Sequence, residues 1–123
     1  MQLKRLALVV LAIQAVTLTA WAHHSHGNYE MTEYIELDGT VTDLYFINPH
    51  AWLYMEVEEE SGETVTWAME AAGASTLTRG GIAEDELEPG DRIHVRCHAL
   101  RDGSPGCLLG FVTTPDGVEK EWD

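Results

Sequence analysis

Positive charge is scarce in this chain. Only 7 lysines and arginines stand against 21 aspartates and glutamates, for a formal net charge of -14. Such a field repels phosphates, which argues against nucleic acid and anionic lipid as partners, and it attracts cations. For most of the acids, solubility outside the cell is reason enough. Cysteine is also scarce, at two residues, with no CxxC pair that would indicate a metal knot. No Gly-x-Ser-x-Gly turn, glycine-rich phosphate loop or HExxH helix occurs, which excludes the usual signatures of hydrolases and nucleotide enzymes. Repeats, low-complexity tracts and internal linkers are absent.

The only extended apolar run, Leu6 to Leu18, is shorter than the ~20 residues a spanning helix needs. It follows Lys4-Arg5 and precedes Ala20-Trp21-Ala22, the arrangement of a secretory signal peptide with a small-residue cleavage site. Cutting after Ala22 gives residues 1–22 as leader and 23–123 as one small mature domain of the periplasm or exterior, with no membrane span left. Without Lys4 and Arg5 that domain carries -16, since no acid lies in the leader. An oxidising compartment permits a disulfide. Cys97 and Cys107 flank the turn-rich stretch Arg101 to Gly106, so a hairpin folded about Asp102 sets them opposite each other and predicts a bridge.

The mature chain reads mostly as strands. Tyr34 to Phe46 alternates apolar and polar residues, with Ile35, Leu37, Val41 and Leu44 inward and Gly39 as a bulge or bend. Ala51 to Glu58 and Thr64 to Ala71 form a hairpin about Ser61-Gly62. Ala74 to Arg79 makes two helical turns, capped by Ser75 or Thr76 and stopped by Gly80-Gly81, with Leu77 inward. Arg92 to Leu100 and Cys107 to Thr114 follow as strands. On the first of these, Ile93, Val95, Cys97 and Ala99 share one face, while His94, Arg96 and His98 share the other, read as a solvated face. Three strands, a short helix and two more strands predict an all-β, five-stranded OB-like barrel.

An ordered set of short motifs runs through the chain: Ala22-His23-His24-Ser25, Asn48-Pro49-His50-Ala51-Trp52, Trp67-Ala68-Met69-Glu70, Leu77-x-Arg79-Gly80, Pro89-Gly90-Asp91-Arg92-Ile93, Arg101-Asp102-Gly103 and Pro115-Asp116-Gly117. Together they resemble a family of small exported bacterial proteins of unknown function, DUF6152. The resemblance implies an exported β-domain and supplies no activity. The cysteines, His26, His94 and His98 lie outside its motifs, which ranks those histidines below His23, His24 and His50 as site candidates.

Six histidines are present, three of them at positions 23, 24 and 26. Cleavage after Ala22 makes His23 the first residue, whose amine and ring can chelate one ion. A second imidazole completes a T of three nitrogens, which suits Cu(II) and is similar to the histidine brace of certain copper proteins. His50, restrained by Asn48-Pro49, is the preferred second ring, with His24 as substitute and His26 as a further candidate. Glu70 is a candidate ligand or an acceptor that orients a histidine. The amino-terminal copper/nickel motif is excluded, because Ser25 stands where it needs histidine. Trp52 and Trp67 belong either to the core or to a ligand face, and Arg79 either holds a carboxylate such as Glu70 or caps the helix. The expectation is therefore an exported carrier or sensor of copper or another divalent transition metal. A non-catalytic OB-like module for a small molecule or a periplasmic protein partner is the alternative, and a copper-dependent oxidase or oxygenase is the third reading.

Overall fold

The computed structural model describes residues 26–123. The expected leader, His23 and His24 lie outside the described residues. The strands are β1 (Ile35–Tyr45), β2 (Trp52–Glu58), β3 (Thr64–Glu70), β4 (Arg92–Ala99), β5 (Gly106–Thr113) and a short β6 (Glu119–Glu121), with helix α1 (Ala74–Arg79) between β3 and β4. The strand order is β3-β2-β1-β4-β5-β6, and a parallel pairing of β3 with β5 closes the first five into a barrel. This is the expected OB-like architecture, with β6 as an addition on β5 that the sequence pattern had not signalled. Among the described residues, no helix is long and apolar enough to cross a membrane.

Alternation creates the core. In β2, Leu53, Met55 and Val57 point inward and are buried, while Trp52, Tyr54 and Glu56 point out. Val41, Met69, Ile93, Val95, Leu109 and Val112 meet them from the other strands, and Leu77 of α1 packs in as expected. Both Val41 and Leu44 reach the core because β1 carries a bulge. Val41 pairs with Met55 and Asp43 with Tyr54, which leaves Thr42 as the extra residue. The bulge was expected at Gly39, which instead admits Met55 and the Glu56 carbonyl close against the strand. Cys97 and Cys107, both fully buried, form the expected disulfide with Cα atoms 5.8 Å apart. A loop this short makes the bridge worth about 3 kcal/mol.

Two expectations need correction. Neither Ser75 nor Thr76 caps α1. Its N-cap is Gly73, and the cap is supplied from the β1–β2 loop, where Asn48 Oδ1 accepts the Ser75 N–H at 3.1 Å and Asn48 Nδ2 donates to Ser75 Oγ at 3.0 Å. Nor is the outer face of β4 solvated throughout. His98 does point outward but is only 6% exposed, because the segment 26–34 crosses over β4 and β5. Its Nδ1 donates to the carbonyls of Glu33 (2.7 Å) and Glu30 (3.1 Å), and its ring stacks on Tyr34 at 4.2 Å. Tyr34 can lie this close to β5 because residue 110 is glycine: a Cβ there would stand 2.5 Å from the Tyr34 ring.

Candidate functional site

His50 sits at the end of the β1–β2 loop, which is fastened on two sides. The Asn48–Pro49 peptide bond is cis, and the loop accepts the Ala74 N–H at Ile47 O (3.0 Å). Beyond it, Ala51 exchanges backbone bonds with Ala71 and Ala72, just past β3. This stitching presents the His50 ring to the last turn of β3. Its Nδ1 lies 3.2 Å from Ala71 O and 3.4 Å from Glu70 Oε1. A carbonyl oxygen and a carboxylate oxygen only accept, so Nδ1 is the protonated nitrogen, and in the neutral tautomer this selects, the lone pair is on Nε2. The His50 side chain is 41% exposed and that of Glu70 only 12%.

Glu70 shares the outer face of the barrel with Trp52, its direct partner across the β2–β3 pair. Its second oxygen, Oε2, accepts a 2.6 Å bond from the Tyr29 hydroxyl. Tyr29 is buried and belongs to the amino-terminal arm. A bridge to Leu100 fixes it there, with the Arg101 N–H on Asn28 O (2.9 Å) and Arg101 Nε on Tyr29 O (3.0 Å). Burial, then the bond to Glu70 and its negative charge, push the Tyr29 phenol well above its ordinary range. The phenol is thus a neutral donor at any physiological pH. Nothing in the sequence pattern of 26–34 had singled out Tyr29, since the segment has no period and its role depends on a partner 41 positions away.

The raised phenol value has a measurable consequence. A pKa higher in the folded than in the unfolded chain stabilises the fold fully below about pH 10 and less as the pH climbs through the folded value. Urea midpoints measured from pH 8 to 11 should therefore fall more steeply for the wild type than for Tyr29→Phe above pH ~10. Parallel curves would show that the phenol is not held as described.

The other candidates are dispersed. His26 is exposed, and its carbonyl accepts the Tyr29 N–H. Arg79 donates to Thr76 Oγ1, so its bond lies within α1 and not at Glu70. Trp67 pairs with Met55 and packs against the core, walling an open groove of about 640 Å³ with Leu37, Val57, Glu36, Asp38 and Glu58. His94 pairs with Asp38 at 3.0 Å, away from His50. Among the described residues, no three His, Cys, Asp or Glu side chains are grouped to hold a metal ion. The geometry therefore brings together two of the expected site residues, His50 and Glu70, beside Trp52, and adds Tyr29.

Comparison with known proteins adds one match. The model of a family of unknown function (DUF6152) matches residues 10–109. No curated protein matches the chain.

Proposed function

Because the chain belongs to DUF6152, a family of unknown function that brings no activity with it, we propose from the site itself that the protein is an exported binder of a transition metal, copper foremost, acting as a carrier or sensor. The observation that carries this reading is the engagement of His50 Nδ1 by Ala71 O and Glu70 Oε1 on a side chain that is 41% exposed, which leaves Nε2 as the ring nitrogen available to an ion. A carboxylate behind the ring is the arrangement that orients metal-binding histidines and raises their basicity. Glu70 bonds Tyr29 through one oxygen and faces His50 with the other, so in this reading it supports the ligand that holds the ion.

The remaining ligands come from the amino terminus. Cleavage after Ala22 exposes the His23 amine and ring, with His24 and His26 close by in sequence. Tyr29 anchors the arm against Glu70, residues 26–29 form a turn closed by the Tyr29 N–H on His26 O, and His23 lies three residues before His26, a reach of up to ~10 Å. This short tether to the Glu70 carboxylate supports pairing His23 with His50. The β1–β2 and β4–β5 loops, from which His50 and Arg101 come, are also those around which OB barrels bind ligands, a point of fold analogy only.

The test uses protein whose intact mass shows that it begins at His23, titrated with Cu(II) by calorimetry and EPR. One ion should bind with a tetragonal signal from nitrogen ligands. His50→Ala, and separately one extra residue before His23, should each weaken binding tenfold or more. Binding indifferent to both changes sinks the proposal. The groove beside Trp67, rimmed by Glu36, Asp38 and Glu58, would then favour the second reading, a non-catalytic module for a cationic small molecule or partner.

A further inference from the structure

Resting on the metal reading above, we infer that Tyr29 is a latch linking the docking of the amino-terminal arm to the state of the His50 site. Most contacts that hold the arm lie away from His50. The Glu30 N–H bonds Ala99 O at 2.8 Å, the Arg101 N–H bonds Asn28 O, and His98 holds the carbonyls of Glu30 and Glu33. Only the Tyr29 hydroxyl bonds to the carboxylate that faces His50. Glu70 thus divides its two oxygens between the arm that leads to His23 and the ring that awaits the ion.

A shared carboxylate makes the two events interdependent. With Tyr29 in place, a short bond from a buried, neutral phenol pins one oxygen of Glu70 and leaves the other aimed at His50 Nδ1. With the arm lifted, Glu70 loses that bond and is free to turn toward solvent, and His50 keeps Ala71 O but loses the carboxylate that faces its ring. Coupling of this kind is reciprocal. An ion held jointly by the arm and His50 tightens the arm, and loosening the arm weakens the ion. Tyr29 is then a positioning residue: it touches no metal and acts through Glu70.

Hydrogen exchange on the protein that begins at His23 tests this with and without Cu(II). Without metal, Tyr29→Phe keeps the ring but removes the donor, and the Glu30 amide should exchange about tenfold faster while the β2 amides are unchanged. The same variant should bind Cu(II) about tenfold more weakly. In the wild type, one equivalent of Cu(II) should slow exchange of the Glu30 amide. Glu70→Gln retains an acceptor for the phenol, so it should keep the arm protected yet bind Cu(II) more weakly. Metal-free exchange in Tyr29→Phe equal to wild type overturns the latch. Faster exchange with unchanged Cu(II) affinity overturns the link to the site. A wild type that binds no Cu(II) overturns the metal reading instead, and the metal-free comparison still decides the latch.

Discussion

Trp122→Ala should lower the folding free energy by about 3–5 kcal/mol, the range for deleting a large buried aromatic side chain. Trp122 is fully buried in the barrel core although it is the penultimate residue. Its backbone joins two parts of the barrel, donating to Gly110 O in β5 and accepting the Ala72 N–H just past β3, both at 2.8 Å. The indole fills space that an alanine leaves empty, and flanking acids such as Glu121 and Asp123 offer nothing to refill it. Small domains retain only about 5–15 kcal/mol in total, so the loss removes a large share of stability. The urea midpoint should drop with little change in slope. A loss under about 1 kcal/mol would mean that the carboxy-terminal segment lies on the barrel rather than in it.

What the sequence made legible depended on period. β2 and β3 alternate cleanly, so their extents could be read directly, and the turn residues around Asp102 located the disulfide hairpin. The bulge at Thr42 was legible only as a conflict, because Val41 and Leu44 cannot both face inward on a regular strand. His98 was placed on the correct face with the wrong surroundings. A strand's own pattern carries no information about an arm that crosses over it from Glu30 to Tyr34. Trp122 left a faint signal, a large aromatic in an otherwise acidic tail, whereas Tyr29 left none. At the site, residue type and the Asn48-Pro49 turn were enough to select His50, and a glutamate beside Trp67 to select Glu70. That one Glu70 oxygen meets Tyr29 and the other faces His50 is what the proposed supporting role for Glu70 rests on, and such contacts have no counterpart in spacing along the chain.

The coupling between fold and site is sharpest at Gly73, where Gly73→Ala should destabilise the protein by about 1–3 kcal/mol and also disable the His50 site. The backbone angles of Gly73, φ -67° and ψ 156°, suit any residue, so the effect is purely one of space. A Cβ there would stand 2.5 Å from Pro49 O and 2.7 Å from Asn48 Oδ1. The Pro49 oxygen belongs to the backbone and cannot rotate aside, so either the loop or the start of α1 has to shift. Displacing the loop breaks the two Asn48–Ser75 bonds that cap the helix and moves His50, the next residue after Pro49, off Ala71 O and Glu70. On the proposed metal reading, copper affinity should therefore fall by tenfold or more in a protein that still folds, with the urea midpoint reporting the structural cost separately. Wild-type stability and affinity together in Gly73→Ala would show that the loop has slack, and that the position of His50 is not set by its contact with the helix.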